Sequence, residues 1–179
     1  MEEFPPFINE NIEGYTVDLL RQIENISDYR FDIQIMTYAR AKRELELGRL
    51  DIAGHTPKGL ETPQFYSYGS ELDWQITTRA DYFSLEQKKL KNLLSNESTI
   101  GTTLGNASFF AIKSGIPQSS FIEIPTLEKL VELLLLGRID IIVFERVSVM
   151  AMLQQKTNTP VFYRTLGSVP ASIAVANTT

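Results

Sequence analysis

Few residues in this chain carry chemistry beyond folding, and those that do follow short apolar runs. His55 is the only histidine and stands in GHTPK (54–58), directly after LDIA (50–53). A lone His excludes a His-based metal cluster, and a Ser-His-Asp triad would have to use it although no G-x-S-x-G supplies the nucleophile. In a cleft, its imidazole can hydrogen-bond a ligand. Glu145 follows the apolar run IIVF (141–144), where an unpaired carboxylate is costly to bury. It either caps the helix that VSVMAMLQQ (147–155) predicts or holds a cationic ligand group. TTLGNAS (102–108) leads from a strand into a helix, so its free N–H groups lie at a positive helix end. Gly105, Asn106 and Ala107 therefore form either an Asn-capped tight turn or a seat for a carboxylate or phosphate. Neither glycine pattern of the nucleotide loops is present.

These residues are placed by alternating helices and strands. GYTVDLLRQIENI (14–26) has apolar residues at spacings of three and four and predicts an amphipathic helix. FDIQIM (31–36) alternates Phe31, Ile33 and Ile35 with polar residues, as a half-buried strand does. ARAKRELELG (39–48) predicts a helix stopped by Gly48, and LDIA (50–53) a strand. The second half repeats the grammar: strand 98–103, helix 106–115, strand 120–124, a helix from Thr126 to Leu136, and strand 139–144. Such alternation argues for parallel βαβ units.

The hexamer LGRLDI (47–52) returns as LGRIDI (136–141). In both, Leu is expected to pack the helix end, Gly to adopt the left-handed position and Arg to sit near the negative helix terminus. Two copies at equivalent joints argue for two lobes of one architecture. SELDWQITTRADYF (70–83) and YRTLGSVPASIAVA (163–176) read as two crossings between them. Lobe I is then 1–78 plus 167–179 and lobe II 79–166, with hinge crossings near 74–82 and 163–169. Ligands of open parallel sheets bind beyond the carboxyl ends of strands, which brings His55, Thr56, Lys58, Gly105, Asn106, Ala107 and Glu145 to one cleft.

Composition bounds the partners. With 17 Lys and Arg against 22 Asp and Glu, the net charge is -5, and no basic stripe marks a nucleic-acid surface. The absence of Cys excludes disulfides, thiolate metal sites and Cys nucleophiles. The sequence opens without the basic and apolar regions of a secretory leader, and its most apolar window is too broken to span a membrane.

The chain resembles the bacterial extracellular solute-binding proteins of family 3, the amino-acid-type receptors of ABC transporters. The resemblance runs over nearly the whole chain, through FPPF (4–7), GYTVDLLRQI (14–23), LGRLDIAG (47–54), LDWQITTRADYF (72–83), IGTTLGNA (100–107) and LGRIDIIVFE (136–145). It implies a two-lobed α/β Venus-flytrap fold that closes on a small polar solute, an amino acid or related amine or organic acid. It also implies a periplasmic location, an ABC-transporter permease as partner, no cofactor and no catalysis. By position, Phe4 and Tyr38 look like aromatic walls, His55 and Thr56 like lobe I ligand contacts, and Gly105, Asn106 and Ala107 like the carboxylate seat. Glu145 matches the acidic residue that pairs with an α-amino group.

Two departures stand out. TPKGLETPQF (56–65) lacks the family's carboxylate-clamping Arg, so Lys58 or Arg40 would have to substitute. The strand preceding FPPF and the helices following ASIAVAN are missing, which makes lobe I truncated at both ends and open to homodimer formation. A ligand-sensing domain of a signalling receptor uses the same fold, and an enzyme on it would need His55 and Glu145 as a proton-transfer pair.

Overall fold

The computed structural model describes residues 1–93 and 98–177. The last two residues of the expected lobe I, 178 and 179, lie outside the described residues.

Helix α1 (Tyr15–Ile26) buries Thr16, Val17 and Leu20 on one face. Helix α2 (Tyr38–Glu46) is capped by the Thr37 hydroxyl, which accepts the Arg40 N–H. Strand β1 (Ile52–Pro57) starts two residues later than LDIA predicts and runs through His55 and Thr56. Helix α3 (Pro63–Tyr68) and strand β2 (Gly69–Glu71) follow, then the long strand β3 (Ile76–Ser84) and the short helix α4 (Gln87–Lys91). Strand β4 (Ile100–Thr103), helix α5 (Ala107–Ser114) and strand β5 (Phe121–Ile124) form one unit. Helix α6 (Leu127–Leu135), strand β6 (Ile141–Glu145), helix α7 (Arg146–Lys156) and the 15-residue strand β7 (Phe162–Ala176) complete the chain.

The strands make one seven-stranded sheet in the order β1-β7-β3-β6-β4-β5, with β2 also on β7. β4 runs parallel to β5 and β6, as the βαβ reading expects. In the first half that reading fails: β1 and β2 both lie antiparallel to β7, and among the described residues no parallel pair forms there. The two flanks are joined by β3 and β7, antiparallel over most of their length. Between Asp81 opposite Thr165 and Ala80 opposite Gly167, β7 carries one extra residue, Leu166, a bulge that bends the ladder midway between the flanks.

FDIQIM is extended but not a strand. Its alternation is real, since Phe31, Ile33 and Ile35 are half-buried, yet a ladder needs a neighbour. The backbone bonds it receives come from Met1, whose carbonyl accepts the Met36 N–H at 2.9 Å, while the Glu2 N–H reaches the Gly54 carbonyl at 3.2 Å. Met1 and Glu2 thus sit between residues 34–36 and β1. Beyond them a small apolar cleft is lined by Leu20, Phe31, Ile33, Leu50 and Ile52.

The repeated hexamer forms the same joint twice. Gly48 and Gly137 both have φ 66°. Gly48 N–H bonds the Leu45 carbonyl and Arg49 N–H the Glu44 carbonyl; Gly137 and Arg138 do the same to Leu134 and Leu133. This double bond pattern satisfies the last carbonyls of a helix. The leucines, however, do not pack the helix ends: Leu47 is 41% and Leu136 66% exposed. The leucine, glycine and arginine of the repeat fix the turn, and core filling falls to its later residues, Ile139 and Ile141 in the second copy.

Candidate functional site

A cavity of about 40 Å³ lies where β1, the N-terminal segment, the start of α5 and the end of β6 meet. From the first half come Glu2, Phe4, His55 and Thr56; from the second come Asn106, Phe109, Phe110, Phe144 and Glu145. β3 and β7 supply Thr78, Ala80, Val169 and Ala171.

Phe4 is fixed by a tight loop in which its N–H bonds the Ile8 carbonyl at 2.9 Å. Its ring lies 4.9 Å from that of His55, 5.2 Å from Phe7 and 6.0 Å edge-on from Phe144. His55 Nε2 is 2.7 Å from the Thr16 hydroxyl at the start of α1. Burial, aided by the N-terminal ammonium, pushes the His55 pKa down to about 4, so the ring is neutral in the physiological range. Its Nδ1 has no partner, and neither does the hydroxyl of the fully buried Thr56.

Glu2 is the group that the sequence reading missed. Its Oε2 accepts the Asn106 amide at 3.3 Å, and its Oε1 is unpartnered. Burial raises its pKa to about 7, against the opposing pull of Thr103, Asn106 and Lys42. An acidic pair in MEEF gives no periodicity signal, so nothing in the local sequence separates this buried carboxylate from a solvated one. Asn106 is tied down by a second bond from its amide to the Thr103 hydroxyl at 2.8 Å.

Glu145 takes the helix-capping alternative: its Oε2 accepts the Ser148 N–H at 2.8 Å at the start of α7 while the residue still lines the cavity. Ser148 in turn donates its hydroxyl to the Pro5 carbonyl at 2.6 Å, linking this corner to the Phe4 loop.

The turn before α5 holds an anion, and that anion is the protein's own. Glu123 Oε1 on β5 accepts the Gly105 N–H at 2.7 Å and the Ala107 N–H at 3.1 Å. Neither Gly105 nor Ala107 lines the cavity. Tyr38 is also outside it, fully buried, with its hydroxyl on Glu61 at 2.8 Å. Lys42 completes a bridge between the halves: its ammonium lies 4.4 Å over the Tyr38 ring, 3.4 Å from both Glu61 oxygens and 2.9 Å from the Gly105 carbonyl. The Ala39 N–H adds a bond to the Leu104 carbonyl at 3.2 Å. Lys58 faces away from the cavity and pairs with Asp73 at 3.2 Å, and Arg40 is exposed.

Among the described residues no group of His, Asp and Glu side chains gathers as a metal site, and no helix is long and apolar enough to cross a membrane.

The α/β architecture is periplasmic-binding-protein-like. The chain is similar to holo ArgBP from T. maritima, with a TM-score of 0.77 and 19% identity, covering 98% of this chain and 80% of that one. It is similar to the substrate binding protein of an amino acid ABC transporter at a TM-score of 0.72 and 21% identity, over 98% and 83% of the two chains. A histidine kinase sensor domain with similarity to periplasmic binding proteins matches at a TM-score of 0.76 and 16% identity, over 98% and 80%. At these identities the likeness shows the fold. No family model matches the sequence, and no curated protein does.

Proposed function

We propose that this protein captures a small polar solute between two lobes and hands it to an ABC-transporter permease in the periplasm. The observation that carries this reading is the cavity itself. It is walled from both halves of the chain, and three of its lining residues, Glu2, His55 and Thr56, carry polar atoms without a partner among the described residues. Buried polar atoms without partners are costly in a finished core and useful where a ligand supplies the partner. Lobe I, residues 1–78 and 167–179, carries Glu2, Phe4, His55 and Thr56; lobe II, residues 79–166, carries Asn106, Phe109, Phe110, Phe144 and Glu145. The hinge crossings near 74–82 and 163–169 correspond to β3 and the first half of β7. The contacts of Lys42 and Ala39 with the 104–105 turn act as the latch of the closed state.

We read the site as one for binding rather than catalysis: His55 Nε2 pairs with the Thr16 hydroxyl and Glu145 Oε2 accepts the Ser148 N–H. A second reading, the ligand-sensing domain of a signalling receptor, is favoured by the kinase sensor domain among the structural neighbours. Calorimetry against amino acids, amines, sugars and organic acids, followed by small-angle scattering with the best ligand, tests capture. Saturable binding with a smaller radius of gyration is expected, and binding without compaction counts against closure. Pairing of two copies through lobe I is the remaining partner proposed; a monodisperse monomer by light scattering would remove it.

A further inference from the structure

Three residues that line the cavity carry polar atoms without a partner among the described residues, and these atoms share one chemistry. Glu2 Oε1, Thr56 Oγ1 and His55 Nδ1 have no hydrogen-bond partner, and their residues are 8%, 0% and 8% exposed. The first two accept hydrogen bonds as they stand. His55 Nδ1 accepts in the tautomer whose Nε2–H is donated to Thr16. No Lys or Arg lines the cavity. The turn that could have received an anion is filled by Glu123, and the Lys42 ammonium is committed to Glu61 and the Gly105 carbonyl.

A ligand carboxylate entering here would lose its hydration and face Glu2, Glu145 and four phenylalanine rings with no Lys or Arg among the lining residues to pair with it. A cation meets the reverse. Carboxylate and hydroxyl acceptors take its N–H groups, and the negative faces of Phe4, Phe109, Phe110 and Phe144 favour positive charge. The three donors of a primary ammonium equal the three free acceptors in number. A volume of about 40 Å³ has room for about three water-sized groups.

The geometry points to a small primary amine without a carboxylate as the ligand of this cavity, held by Glu2 as its charge partner. This assignment rests on the solute-capture reading above and narrows it. It departs from an amino acid at two points: the carboxylate seat is internally occupied, and the anionic partner comes from the N-terminal segment in addition to Glu145.

The test is titration calorimetry on the full chain at about pH 8, where Glu2 is ionised and small amines remain protonated. Ethylamine and ethanolamine are compared with glycine and alanine, and a panel of sugars and organic acids is run alongside. The expected result is saturable amine binding at least tenfold tighter than that of either amino acid. Glu2→Gln should lower amine affinity tenfold or more while keeping a cooperative thermal transition. Equal or tighter amino-acid binding, or amine binding unaffected by Glu2→Gln, overturns the assignment. Binding of a sugar or organic acid alone, with compaction by scattering, overturns it too but leaves solute capture standing. Binding of nothing in the panel overturns both.

Discussion

Replacing Glu2 with Gln exchanges a buried titrating group for a neutral one of similar shape, and the effect is read in the slope of stability against pH. In the folded protein burial raises the Glu2 pKa from 4.5 to about 7. The folded state therefore keeps a proton that the unfolded chain has lost. The contribution of this group is fully present below 4.5 and is withdrawn as pH rises through about 7. At about 1.4 kcal/mol per pH unit the withdrawal amounts to roughly 3 kcal/mol. His55 works in the opposite sense. Its pKa falls from 6.5 to about 4 on folding, so the unfolded chain takes up a proton that the folded one refuses. Its contribution is present above 6.5 and lost as pH falls through about 4, again by roughly 3 kcal/mol. Between 4.5 and 6.5 the two slopes oppose each other, and in the unsubstituted protein their sum is nearly flat. Glu2→Gln removes one of them, leaving stability that climbs by roughly 3 kcal/mol from about pH 4 to 6.5 and then levels. The charged and titratable groups around Glu2 are the N-terminal ammonium, Lys42, Tyr38, His55 and Glu145. Urea denaturation at constant ionic strength across this range measures the slope directly. Parallel curves for the two proteins would refute the account, because they would mean that Glu2 stays ionised and solvated in the folded state.

Gly105→Ala should hold the lobes apart. Its φ is +98°, and a Cβ there would stand 2.5 Å from the Ala39 backbone nitrogen across the cleft. Besides a conformational cost of about 1–2 kcal/mol, the clash should raise the radius of gyration and weaken solute binding, both read by scattering and calorimetry. Lys42→Met removes the bond to the Gly105 carbonyl and leaves the buried Glu61 with its Tyr38 partner alone, for a loss of about 1–3 kcal/mol in urea denaturation. Thr126→Ala removes the side chain that accepts the Lys129 N–H at 3.2 Å. It should destabilise by about 1 kcal/mol without changing ligand affinity, which separates fold defects from site defects.

The elements were legible where the signal is local. Helix stops at Gly48, Gly115 and Gly137, the Thr126 cap and the strand alternation in the second half all depend on neighbours in sequence, and the structure places those elements within a few residues of expectation. Legibility failed where pairing is remote. FDIQIM has a strand's pattern without a strand's partners, and β1 was expected in a parallel sheet although its neighbour is the far end of the chain. The short helices α3 and α4 carry too few residues for a periodic signal. In the site, Phe4, His55, Thr56, Asn106 and Glu145 were legible as a set because they follow strand ends or the FPPF loop. Glu2, Lys42 and Glu123 were not, since nothing near them in sequence tells a buried or bridging charge from a solvated one.

Strand β7 is shared. Its first residues pair with Asp81–Ser84 and its last with β1 and β2, so one continuous backbone ladder is part of both flanks. Loss of β7 would strip β1 and β2 of the strand they both pair with and β3 of its partner along its whole length. The two flanks therefore share a backbone ladder that carries the Leu166 bulge. Calorimetry should record a single unfolding transition, with equal calorimetric and van't Hoff enthalpies.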